Sequence, residues 1–183
     1  LVICDEAFLP IVPQGEEQSV ISLIKKYDNL IIIRSFTKVL PIAGLRVGYA
    51  VSSRKRIEKW NKIRDPWPVN QIAAKGITML MKEKKIFNNW LKKIHAWVYK
   101  EGSWIKKEIN NFSNLIYHPS SANFILIESN QSLIHTREKL ANMRILIRDC
   151  RSFENLNDKW LRISFKERSD NERIINALKY FIQ

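Results

Sequence analysis

Two short apolar runs that each end in charge constrain this chain more than any other feature. Leu1-Val2-Ile3-Cys4 stops at Asp5-Glu6, and Leu30-Ile31-Ile32-Ile33 stops at Arg34, just ahead of Lys38. Apolar runs of this size read as strands buried on both faces. The pattern over residues 16–27 predicts a helix between them, and a third strand is expected over 45–51. Strand, helix and strand in that order predict an α/β fold with a parallel sheet. In such sheets, sites gather at the carboxyl ends of strands, where Asp5 and Lys38 both fall.

Beyond residue 53 the pattern becomes helical. Helices are expected over 54–64 and 69–84, separated by the breaker Asp65-Pro66-Trp67-Pro68. A long amphipathic helix is expected over 86–111, with Trp90, Trp97 and Trp104 as packing residues. After residue 112, strands are expected over 115–117, 123–128, 145–148 and 160–165, with helices near 133–143 and 169–182. This second pattern predicts a small α+β domain. A domain boundary is expected near residue 100, giving segments 1–100 and 101–183.

The net charge is +13, spread as pairs such as Lys25-Lys26, Lys92-Lys93 and Lys106-Lys107. Paired cations on helical segments describe solvated faces, and no nucleic-acid motif accompanies them. No apolar stretch reaches membrane-spanning length, and no signal-peptide layout opens the chain. Cys4 and Cys150 are too few for a disulfide framework or a zinc site, and no histidine has metal-ligand spacing. The expectation is a reduced, cytoplasmic protein that uses neither nucleic acid, membrane nor metal. Because the chain opens inside an apolar run without methionine, it is expected to be a fragment.

The chemistry concentrates around Lys38. A desolvated lysine can act as a neutral amine and form a Schiff base. Ser35 and Thr37 offer hydroxyls, and Arg46, flanked by Gly44 and Gly48, offers a charge-assisted contact to a phosphate. Asp5 can keep a pyridine nitrogen protonated, although a strand-end aspartate also caps turns. Together these residues point to pyridoxal phosphate. Arg148 and Arg162 interrupt strand-like runs, where an arginine is costly unless paired. Arg162 is expected to clamp a substrate carboxylate; Arg148 either binds a second anion or pairs with Asp149. Asn123 either lines the same pocket or serves as a turn residue.

Ser35-Phe36-Thr37-Lys38 with Gly44-Leu45-Arg46-Val47-Gly48-Tyr49 resembles the lysine motif of the class I/II aminotransferases, which are fold-type I pyridoxal-phosphate enzymes. The resemblance covers the whole chain, which corresponds to the C-terminal half of such an enzyme. It implies a remnant of the large parallel-sheet α/β domain followed by a small α+β domain, and a homodimer at full length. It also implies Lys38 as Schiff-base lysine, Asp5 at the pyridine nitrogen, Ser35 and Arg46 on the phosphate, and Arg162 on the substrate carboxylate. Two branches compete, the histidinol-phosphate aminotransferases and the threonine-phosphate decarboxylases of corrinoid (cobalamin) biosynthesis. Asp5-Glu6-Ala7-Phe8, Asp65-Pro66-Trp67-Pro68-Val69-Asn70, Ser121-Ala122-Asn123-Phe124 and Ile147-Arg148-Asp149-Cys150 resemble the decarboxylase branch, where Arg148 would also contact substrate. Phe8 stands where many relatives carry a tyrosine. The family's phosphate loop, ring-stacking residue and ring-oxygen asparagine belong to its front half, so weak or no activity is expected of this chain in isolation.

Two other readings use fewer residues. Ser35-Phe36-Thr37-Lys38 satisfies Ser-x-x-Lys, and Ser169-Asp170-Asn171 matches a second element of penicillin-recognising enzymes. Lys-Thr-Gly is missing, however, and the first motif follows a strand instead of opening a helix. A non-enzymatic basic binding module rests on net charge alone.

Overall fold

The computed structural model describes residues 1–182 and divides into two compact units, Leu1–His95 and the chain from Ala96 onward. In the first unit, β1 (Val2–Asp5) pairs in parallel with β2 (Leu30–Ser35), and β2 pairs antiparallel with β3 (Gly48–Ser52). The order β1-β2-β3 makes β2 central, and its Leu30, Ile31 and Ile32 are buried. The third strand therefore departs from the all-parallel expectation. Its connection from β2 holds only a 3-10 turn at Ala43–Leu45 and no crossover helix, so the chain returns antiparallel.

The helix expected over 16–27 is absent as an α-helix. Instead, 3-10 segments run over Gly15–Gln18 and Val20–Lys25, broken where Ser19 is extended (φ −64°, ψ 132°). The Ser19 hydroxyl and the Val20 N–H are both drawn to the Glu6 carboxylate, which outcompetes continuous helix there. β3 likewise starts later than expected, because Arg46 occupies the left-handed region at φ 51°. Three helices follow: α1 (Arg54–Ile63), α2 (Gln71–Lys82) and α3 (Lys84–Ile109). Asn70 caps α2 by accepting from the Ala73 N–H at 2.8 Å.

In the second unit, β4 (Leu115–His118), β5 (Phe124–Ser129), β6 (Arg148–Asp149) and β7 (Trp160–Ser164) form an antiparallel sheet ordered β4-β5-β7-β6. Helices α4 (Ile134–Asn142) and α5 (Arg168–Phe181) complete it. Ile125 and Ile127 of β5, with Leu161 and Ile163 of β7, join Ile105 of α3 and Leu178 of α5 in one core. Alternate residues point to the opposite face, so Leu126 and Arg162 stand away from that core. Among the described residues, no helix is long and apolar enough to cross a membrane.

Candidate active site

The first unit gathers five of the expected residues around the carboxyl ends of β1 and β2. Asp5 ends β1 opposite Ile33, so Asp5, Ile33 and Ser35 share one sheet face. Ile33 is 41% exposed in the central strand, an apolar floor open on that face. The Asp5 carboxylate accepts the Ala7 N–H at 2.9 Å, so the turn-capping role is present. The Ser35 and Thr37 hydroxyls lie 2.8 Å apart, and Ser35 Oγ also accepts the Thr37 N–H at 3.2 Å.

Lys38 is exposed on this chain, not desolvated as expected, and its ammonium stands 4.7 Å from the centre of the Phe8 ring. The following residue is held firmly: the Trp90 indole N–H donates to the Val39 carbonyl at 2.6 Å, and Val39 is buried. Arg46 is exposed and donates to the Ala43 carbonyl at 2.9 Å, closing its own loop. Carboxylate, primary amine, paired hydroxyls and guanidinium form a donor set that fits a ligand with a cationic ring nitrogen, a reactive carbonyl and a phosphate.

Beneath this face lies a network that the sequence reading missed. Arg34 and Glu6 are both buried, 4% and 8% exposed. Arg34 Nε donates to Glu6 Oε2 at 2.8 Å, and Nη1 and Nη2 donate to the two Glu16 oxygens at 2.6 and 3.1 Å. Nη2 also donates to Ser19 Oγ at 2.8 Å, which donates onward to Glu6 at 2.9 Å. Burial alone would lower the Arg34 pKa, but Glu16 and Glu6 outweigh it and hold it above the ordinary value. The available signal was a charge, Arg34, following three isoleucines in a strand.

The second unit carries the remaining candidates. Arg148 and Arg162 are directly opposed across the β6–β7 ladder, on the same face. Arg162 Nε is buried without a hydrogen bond, and its guanidinium stands 4.9 Å from the Phe124 ring centre. Arg148 donates to Ser152 Oγ at 3.1 Å and stands 5.4 Å from the Phe153 ring centre. Asp149 does not pair with Arg148; it binds Arg151 at 2.6 Å, which holds its carboxyl down at about 2. Among the described residues, no carboxylate forms an ion pair with Arg148 or Arg162. Asn123 spends its carbonyl on the Phe165 N–H at 2.8 Å, extending the β5–β7 ladder. Cys4 and Cys150 are free thiols, and burial pushes the Cys150 thiol up.

This arrangement of sheets belongs to a known class. A histidinol-phosphate aminotransferase from Clostridium acetobutylicum superposes with a TM-score of 0.88 at 29% identity, over 98% of this chain and 53% of that one. The family model for class I and II aminotransferases matches residues 1–178, and the chain belongs to that family. The family depends on pyridoxal phosphate. A histidinol-phosphate aminotransferase from Methanosphaera stadtmanae is 29% identical, over 100% of this chain and 48% of that protein. A relative from Caldanaerobacter subterraneus subsp. tengcongensis, provisionally named a threonine-phosphate decarboxylase, is 30% identical over 97% of this chain and 48% of its own length. The chain thus spans about half the length of these relatives.

Proposed function

We propose that this chain is the C-terminal part of a pyridoxal-phosphate enzyme acting on a small phosphorylated amino acid, with threonine-phosphate decarboxylation as the first reading. The observation that carries it is the Arg148–Arg162 pair, two arginines opposed in register across β6 and β7 on one sheet face, with no carboxylate paired to either among the described residues. Like charges directly opposite in a sheet are destabilising, so the pair makes sense where an anion joins it. Threonine phosphate brings a carboxylate and a phosphate together, one for each arginine. Amino transfer is the second reading, supported by the similarity to histidinol-phosphate aminotransferases.

When bound, pyridoxal phosphate supplies an electron sink for the bond broken at the substrate carbon. Lys38 would hold the cofactor carbonyl, and its amine would carry a proton at the substrate carbon. Asp5 would keep the ring nitrogen protonated, while Ser35, Thr37 and Arg46 would hold the phosphate. Arg162 would take the substrate carboxylate and Arg148 its phosphate, with Asn123 as a further lining residue. In this reading residues 1–100 belong to the cofactor domain and 101–183 to a small domain of a cytoplasmic homodimer.

Borohydride trapping on the purified chain tests the cofactor assignment: pyridoxal phosphate is expected on the Lys38 peptide and absent in Lys38→Ala. Calorimetry with phosphothreonine tests the clamp. Arg148→Ala or Arg162→Ala should weaken binding roughly 10- to 100-fold, the loss of one charged hydrogen-bonded contact. Unchanged affinity in both variants sinks the substrate assignment. Incubation with threonine phosphate separates the reactions: aminopropanol phosphate marks decarboxylation, whereas amination of an added keto acid marks transfer.

A further inference from the structure

The Arg34 network does more than fill space behind the sheet. Side chains alternate along β2, so Arg34 projects opposite Ser35 and Ile33. Glu6, which Arg34 binds, directly follows Asp5, and its N–H donates to the Ile33 carbonyl at 2.9 Å, one step beyond β1. The ion cluster therefore grips, from the back face, the neighbour of each front-face residue. Gly48 adds a backbone contact to the same point, since a Cβ there would lie 2.7 Å from the Arg34 carbonyl oxygen.

Buried ion networks stabilise weakly, because desolvation offsets most of the attraction. A well-packed apolar set would hold β1 to β2 as well, without directional demands. What the guanidinium fork adds is geometry: three partners from three segments, Glu6, Glu16 and Ser19, must meet one plane. We propose that Arg34 is a positioning residue, which through Glu6 and Glu16 fixes where Asp5 and the Ser35–Thr37 hydroxyls stand. The proposal rests on the reading of those residues as the cofactor site.

Arg34→Lys keeps the charge but loses the fork, and Glu16→Gln removes the charge and one of the two acceptor oxygens at a side chain already 57% exposed. Hydrogen exchange on the cofactor-free chain reads the geometry directly. The Ala7 and Thr37 amides, which donate to Asp5 and Ser35, should exchange roughly tenfold faster in both variants, with β7 amides unchanged. Borohydride trapping should need roughly tenfold more pyridoxal phosphate in Arg34→Lys, and that increment should vanish on an Asp5→Asn background. Unchanged exchange at Ala7 and Thr37 overturns the positioning role, as do additive losses in the double variant. If exchange responds but the unmodified chain never traps cofactor at Lys38, the cofactor reading fails, and with it the clamp's service to that site.

Discussion

Gly44 and Gly48 bracket Arg46, and only one of them is sterically required. A Cβ at Gly44 meets nothing within 4 Å, whereas at Gly48 it meets the Arg34 carbonyl at 2.7 Å. Gly48→Ala is expected to cost about 1–3 kcal/mol, as overpacking does, while Gly44→Ala stays within about 0.5 kcal/mol in denaturant melts. Arg34→Met strands the buried Glu6 carboxylate and should cost about 3–5 kcal/mol, with Glu6→Gln in the same background recovering part of the loss. Asp5 and Lys38 were legible as candidates because a charge ending an apolar run is a local pattern. Glu6, Glu16 and Ser19 were not, because nothing local says that one guanidinium will collect all three.

At the scale of elements, tertiary hydrogen bonds overrode helical periodicity between β1 and β2. The pattern over 16–27 is amphipathic, yet Ser19 is more strongly satisfied by Glu6 and Arg34 than by helix. The long helix α3 was readable to within two residues at each end, because its apolar spacing persists over 26 residues. Its tryptophans turn out to be anchors as well as packing. Trp90→Phe, losing the bond to the Val39 carbonyl, should cost about 1 kcal/mol by thermal melt. In the second unit two carboxylates titrate low. Arg168 holds Glu101 below its ordinary value of 4.5, against the opposing pull of burial and with help from Asn171, and Arg151 holds Asp149 at about 2. A depressed folded pKa makes the contribution complete above the ordinary value and lost as pH falls through the folded one. Stability from Asp149 should therefore disappear between about pH 4 and pH 2, and Arg151→Ala should flatten that part of the melting-temperature profile.

At the scale of the whole molecule the two units differ in how completely they close. The second has one continuous core around β5 and β7, while the first leaves Val2 and Ile3 exposed on edge strand β1. Amides of Ile125, Ile127 and Ile163 should thus outlast those of β1 by at least tenfold in hydrogen exchange; equal protection would contradict this difference in closure. Local pattern alone was enough for the α/β class, the family and most element types, the helix expected over 16–27 being the exception, since strand runs, helical periodicity and the Ser35–Tyr49 motif are all short-range signals. The antiparallel return of β3, the 3-10 course after β1 and the Arg34 cluster were decided only in three dimensions. So was the opposition of Arg148 and Arg162, fourteen positions apart in sequence and adjacent on one sheet face. The physical reason is common to all four. Register and ion pairing depend on which distant groups meet, and a chain's periodicity carries no record of its partners. Charge at the end of an apolar run told where chemistry belongs; the fold decided which charges stand in front and which hold them from behind.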